Sequence, residues 1–253
     1  MKLWQNVNVE FYHTAMKHYS SLLLFLFLLL SAARCQAELP DSFTASYALY
    51  YDDLKIGVME RRFINQGKTG TFESNGKLTG LAALFRKDRI AESSRWEVHE
   101  GQLRPLEYRF VRTGGKREKK EYHHFDWYQK KIVSRTQDGE KILQAKPGVL
   151  DKLLYQLAMM ELKDPENGLK FDLVDGTTLK TYTFKFVGRE KIKTPMGKLE
   201  TLKFVRVWPE SVEHKRSSTL WTAPSLHHLP VRVDNTDNKG HLTKIVIKDL
   251  EGL

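Results

Sequence analysis

The run P-G-V-L-D-K-L-L-Y-Q-L-A-M-M-E-L-K-D-P, Pro147 to Pro165, decides how the rest of the chain is read, because it alone shows a good helical period. Leu150, Leu153, Leu154, Leu157 and Ala158 recur at i, i+3, i+4, i+7 and i+8 and paint one apolar stripe. Pro147 and Gly148 interrupt the chain before it, Pro165 blocks continuation, and Asp151 in the first turn complements the macrodipole. The spacing predicts one long amphipathic helix. Nearly everything around it alternates apolar and polar with a period of two, which is the pattern of half-buried strands. The fold therefore reads as mainly β: a curved antiparallel sheet forming a barrel or an incompletely closed barrel, with the helix as plug or lid.

Working outward, Leu169–Val174 and Thr178–Val187 flank Asp175-Gly176, a strong hairpin signal because both turn positions tolerate positive φ. Arg189–Thr194 and Lys198–Trp208 flank Pro195-Met196-Gly197, and the chain closes with His214–Thr222, Pro230–Asp234 and His241–Leu250. Upstream of the helix, Asp138-Gly139, Gly114-Gly115, Glu100-Gly101, Asn75-Gly76, Gly67 and Asp52-Asp53 punctuate the strands back to Phe43. Leu78–Phe85 fits a strand edge or a short helical turn equally well. Short connections throughout imply antiparallel neighbours, about a dozen strands in all.

Ahead of these strands, Leu22–Leu30 is an unbroken apolar run preceded by Lys17 and His18, too short to span a bilayer comfortably. It reads as the core of a signal peptide cleaved after Ala37, with Met16 as an alternative start, leaving residues 38–253 as one β-rich domain. Arg34 immediately before Cys35 argues against a lipid-modified cysteine. Cleavage there removes the one Cys, and with it disulfides, thiol catalysis and thiolate metal sites. The expected address is the periplasm, with no membrane span after cleavage. A net charge of +10 would suggest nucleic acid for a cytosolic chain; for an exported one it points to lipid, lipopolysaccharide or another anionic envelope component.

Several segments, in order, resemble the exported bacterial family called domain of unknown function 3108. They are A-S-Y-A-L-Y-Y-D-D-L-K-I-G from Ala45, G-K-L-T-G-L-A-A-L-F from Gly76, R-W-E-V-H-E-G-Q-L-R-P-L-E-Y from Arg95 and the helix with its leading P-G-V-L-D. V-G-R-E-K-I-K-T-P-M-G-K-L-E-T-L-K from Val187 and W-T-A-P-S-L-H-H-L-P-V-R-V from Trp221 complete the set. The resemblance implies an exported, β-rich envelope protein with no established activity and no catalytic residues to carry over. By looser analogy, one helix on a curved antiparallel sheet is similar to periplasmic carriers of lipoproteins and lipids.

Chemistry is hard to find in the residues themselves. His123-His124 and His227-His228 are adjacent pairs, which point to opposite faces of a strand, and no metal-ligand spacing joins them to His99, His214 or His241. No metal or other cofactor is expected. No nucleophile elbow or phosphate-cradling glycine loop occurs, while Ser93-Ser94, Ser217-Ser218 and Ser225 near His227 make a triad only on paper. Asp52-Asp53 and Glu118 with Glu121 read as turn chemistry and solvated strand charge. The aromatics are more suggestive: Trp96, Tyr108, Trp127, Trp208 and Trp221, with Leu154 and Leu157 of the helix, are the candidate lining of an apolar cavity, and otherwise sheet core. The leading expectation is a non-enzymatic periplasmic binding module for an amphiphilic ligand or an envelope protein. The alternatives are a structural assembly factor and a hydrolase acting on wall polymer or lipid.

Overall fold

In strand after strand the residues at every second position are buried, and this alternation bends the chain around a single interior. The computed structural model describes residues 39–115, 118–161, 164–208 and 216–253; the leader expected over 1–37 and His214 lie outside them. Fourteen strands form one antiparallel sheet. Eight precede the plug: β1 (Phe43–Tyr51), β2 (Leu54–Asn65), β3 (Thr69–Leu78), β4 (Arg89–His99), β5 (Gln102–Thr113), β6 (Lys119–Asp126), β7 (Lys131–Thr136) and β8 (Gly139–Gln144). Six follow it: β9 (Leu169–Asp175), β10 (Thr178–Thr194), β11 (Gly197–Val207), β12 (Ser217–Ala223), β13 (Leu229–Thr236) and β14 (Leu242–Glu251).

Every strand but one pairs with the next in sequence, the exception being β8 with β9, and β1 pairs with β14, so the order runs from β8 down to β1 and then from β14 down to β9. The sheet is not closed. Its two free edges, β8 and β9, are consecutive in sequence and joined by the segment with the helical period. Among the described residues no helix is long and apolar enough to cross a membrane.

The long helix is not formed. Among the described residues of the segment only α2 (Tyr155–Ala158) is α-helical, flanked by turns, whereas α1 (Leu81–Phe85) occupies the ambiguous passage between β3 and β4. Two causes are visible. Leu150 is committed to β9: its N–H donates to the Asp172 carbonyl at 2.9 Å and its carbonyl accepts from Val174 N–H at 3.0 Å. Beyond it the backbone mixes i→i−3 bonds (Leu157 to Leu154, 3.0 Å; Met160 to Leu157, 2.8 Å) with i→i−4 bonds (Met159 to Tyr155, 3.1 Å), a tighter winding than a regular helix. The segment also lacks a wet face, since Leu150, Asp151, Leu153, Leu154, Leu157, Met159 and Met160 are all buried. It is a plug inside the sheet, so the apolar stripe reported burial without reporting regularity.

The plug packs into a continuous core drawn from both halves of the sheet, including Phe43, Phe63, Phe72, Trp96, Tyr108, Phe125, Ile132, Leu173, Val231 and Ile247. Phe63 lies stacked on Trp96 with ring centroids 5.4 Å apart. Gly70 makes that possible, because a Cβ there would sit 2.5 Å from the Trp96 ring and 2.1 Å from the Ile64 carbonyl oxygen. Two further expectations are corrected. Asn75-Gly76 is not a turn but the middle of β3, paired on both sides with β2 and β4, so the ladder overrides the local preference. Thr178–Val187 and Arg189–Thr194 are one strand, β10, with an irregularity between Phe186 and Gly188.

Candidate functional site

The seven residues singled out by sequence lie in different parts of the structure. Trp96, Tyr108, Leu154 and Leu157 meet in the core, each fully buried, and the plug occupies the space between them. Trp127 packs at the margin of this core, stacked on Phe125, with Nε1–H donating to the Pro105 carbonyl at 2.7 Å and the Arg104 guanidinium 5.2 Å from its ring. Trp221 lies between its cross-strand neighbours Lys203 and Arg232, whose cations stand 5.2 and 4.7 Å from its ring, and its Nε1–H donates to Glu190. Trp208 lies under Arg206, whose guanidinium stands 3.9 Å from its ring.

What sequence reasoning missed is a polar cluster on the inner face. Glu92, Ser94 and Trp96 share one face of β4, and Glu121, His123 and Phe125 share one face of β6. The alternation was readable: an inward Phe125 obliges His123 and Glu121 to face inward too. Glu121 is therefore not the solvated strand charge expected, and it is 3% exposed. Lys152 of the plug donates to its Oε2 at 2.6 Å and lies 3.4 Å from Asp175 Oδ1, while Lys119 pairs with the same carboxylate. Burial opposes ionisation of both acids, but Lys119 and Lys152 hold Glu121 below its usual range, and Lys180 and Lys152 hold Asp175 down to about 2. Asp151 has no charged partner of this kind. It accepts from Leu153 N–H (2.8 Å), Leu154 N–H (2.7 Å) and the Ser94 hydroxyl (2.6 Å), yet burial pushes it up to about 7. Burial likewise raises Glu92, despite the 2.5 Å hydrogen bond from the Tyr108 hydroxyl.

Ser134, His123 and Glu121 look like a hydrolytic triad until the donors are assigned. Ser134 Oγ–H donates to the Gly176 carbonyl at 2.6 Å, so the 3.0 Å contact to His123 Nδ1 is one in which the imidazole donates. A catalytic histidine must instead accept the serine proton. All three side chains are buried, and burial holds His123 down to about 4, neutral. The arrangement is suited to tying β7 to the β9–β10 turn across the open seam. Among the described residues no three His, Cys, Asp or Glu side chains form a metal-holding group.

A second feature lies on the other side of the sheet. A cleft of about 670 Å³ crosses β1 to β5 and β14 and is lined by Ser46, Glu60, Asn75, Lys77, Arg89 and Lys248 among others. Lys77 and Arg89 are directly opposed cross-strand partners, and Lys77 faces Val58 on its other side. Like charges in that position repel. Among the described residues Lys77, Arg89 and Lys248 make no ion pair, and Glu60 is the one carboxylate in the cleft lining.

The family model described as "Protein of unknown function (DUF3108)" matches residues 46–247. The chain belongs to this family. The DUF3108 match includes the inner cluster and every cleft residue named above except Lys248. No curated protein matches this DUF3108 chain. Among solved structures, a β-barrel-like protein of domain of unknown function DUF1849 from Brucella abortus superposes with a TM-score of 0.51 at 10% identity, covering 84% of this chain and 98% of that one. A candidate exported protein with a YmcC-like fold from Bacteroides fragilis (TM-score 0.34, 13% identity, 85% and 98% covered) is more distant. So is a candidate lipoprotein from Parabacteroides distasonis (0.33, 10%, 85% and 97%). The first likeness speaks for the barrel-like fold of DUF3108 and for nothing beyond it.

Proposed function

We propose that this DUF3108 chain is an exported, non-enzymatic module of the cell envelope that binds the anionic head of an amphiphilic ligand in the outer cleft. The observation that carries the reading is the opposed Lys77–Arg89 pair, with Lys248 in the same cleft and, among the described residues, no ion-pair partner for any of the three. Adjacent cations lose stability unless something anionic neutralises them, and a concave basic surface concentrates such a ligand. Leu153, Leu154 and Leu157 of the plug are fully buried, whereas the basic residues of the cleft lie on the outer face. Export is supported by the leader-like Leu22–Leu30 run, and a role without catalysis by a serine whose proton is already engaged.

The test is calorimetric titration with dihexanoyl phosphatidylglycerol below its micelle concentration, against dihexanoyl phosphatidylcholine as the neutral control. Binding of the anionic lipid is expected to weaken about tenfold or more in the Lys77→Glu/Arg89→Glu variant and to fall with added salt. Equal affinity in both proteins would sink the reading. An assembly factor acting through protein contacts is the second reading, favoured by the free edge of β8, where Ile142 is 65% exposed.

A further inference from the structure

Helix α1 is built inside out. Leu81, Leu84 and Phe85 stand at i, i+3 and i+4, which puts them on one face, and that face looks into solvent: they are 74%, 76% and 85% exposed. The small residues Ala82 and Ala83 turn toward the protein instead and are half-buried. A soluble surface helix does the opposite, burying its large apolar side chains and displaying its small or polar ones. Nor does capping hold the element: Gly80 precedes it at φ 60° with no side-chain cap, and none of its residues is buried. Five residues cannot sustain a helix by propensity alone. The apolar surface extends to the β1–β2 turn, where Leu54 is 65% exposed and the Ile56 carbonyl accepts from Thr79 N–H at 2.9 Å.

The charges around this face select its partner. Lys55, Lys77, Lys87 and Arg89 flank it in sequence and register, and among the described residues none of them forms an ion pair. The aspartates of the loop and of the β1–β2 turn are already occupied: Asp88 is held by Arg86 and Arg112 at 2.8 Å each, Asp52 by His241 at 2.9 Å, and Asp53 by Lys244, which leaves Glu60 of the cleft as one carboxylate against several cations. Large apolar side chains on the tip, ringed by uncompensated Lys and Arg, are the composition of an element that lies in the interface of an anionic bilayer. A protein groove would match the apolar face but not the basic ring.

We propose that the β3–β4 loop inserts Leu81, Leu84 and Phe85 into the surface of an anionic membrane. Inserted there, it sets the outer cleft against lipid head groups, because Lys77 and Arg89 leave and enter the strands on either side of the loop. The seating of the cleft rests on the ligand reading above; the insertion of the loop does not.

The experiment uses the full chain with Phe85→Trp, mixed with vesicles of phosphatidylethanolamine and phosphatidylglycerol in which a share of the acyl chains is brominated. Tryptophan quenching in excess of that of the unsubstituted protein is expected with these vesicles, and much less with phosphatidylcholine. A companion Leu84→Asp/Phe85→Asp variant, changed only at exposed positions, is expected to lose about tenfold or more in vesicle partitioning. It should still bind dihexanoyl phosphatidylglycerol as the unsubstituted protein does. No excess quenching overturns the proposal, and so does an unchanged partition of the double variant. A dimer in vesicle-free buffer that Phe85→Asp dissolves would assign the face to a second copy and overturn it as well. If quenching is seen but the short-chain titration fails, the loop stands and the cleft reading falls.

Discussion

Replacing Lys152 with Met is expected to cost about 2–3 kcal/mol of folding stability, read from the urea midpoint at neutral pH. Lys152 is the plug's own link to both flanks of the open seam: Glu121 belongs to β6, two strands from the free β8 edge, and Asp175 ends the opposite edge strand β9. Removing the ammonium leaves Glu121, with a side chain 0% exposed, charged and short of a partner. Lys119 and Lys180 stay in place and soften the loss, which is why the figure sits below the full cost of stranding a buried charge. The sign with pH follows from the lowered acids. A carboxyl held below its unfolded value stabilises the fold above that unfolded value and stops doing so as pH falls through the folded one. The gap between the two proteins should therefore narrow as pH drops below about 4 toward 2, the value at which Asp175 titrates. Glu121→Gln added to Lys152→Met should recover part of the loss. A pH-independent deficit, or no recovery, would mean that packing of the lysine stem and not its charge holds the seam.

How far the chain could be read depended on what each signal measures. Period-two alternation and turns such as Asp138-Gly139 and Asp175-Gly176 report local geometry that the sheet itself uses, so β7–β8 and β9–β10 were legible. Asn75-Gly76 failed because two flanking strands outvote one dipeptide. The plug failed differently. A 3.6-residue stripe states that one side is buried, but it cannot state that the other side is buried as well, nor that Leu150 will spend its backbone on β9. The closing order of the sheet was out of reach, because the β1–β14 pairing joins residues as far apart as Thr44 and Glu251.

The sites followed the same logic. Trp96, Tyr108, Leu154 and Leu157 were found because size and apolarity lead to the core. The two charged clusters arise from register, which sets Lys77 against Arg89 and Glu121 beside Lys152, and no residue type announces a register. Polar residues two and four positions from an inward aromatic share its face, as His123 and Glu121 do with Phe125 along β6.

Asp151→Asn should behave in the opposite sense to Lys152→Met with pH. Asn keeps Oδ1 to accept from the Leu153 and Leu154 N–H groups and offers Nδ2–H to the Ser94 hydroxyl, so the turn at the head of the plug is retained. What it removes is a buried carboxyl whose folded value stands near 7 against an ordinary 3.8, raised by burial in spite of those three hydrogen bonds. A carboxyl raised in the fold binds its proton more tightly there than in the unfolded chain, so it is harmless below about 4 and costs progressively more stability as pH climbs toward 7. A rise from 3.8 to about 7 is equivalent to about 4 kcal/mol, and relaxation around the charge brings the expected gain of Asp151→Asn over the unsubstituted protein to roughly 2–4 kcal/mol at about pH 8. At about pH 4.5 the gain should shrink to about a quarter of that, because the unfolded carboxyl is then still largely ionised. His123, neutral in the fold with its value near 4, destabilises both proteins alike as pH falls below its usual range, so it cancels from the difference. Paired urea titrations from about pH 4.5 to about pH 8 read that difference directly. A constant offset would show that Asp151 is ionised at no net cost, with the Ser94 hydroxyl and the two N–H groups compensating its burial in full, and the plug would then be indifferent to the charge at its head.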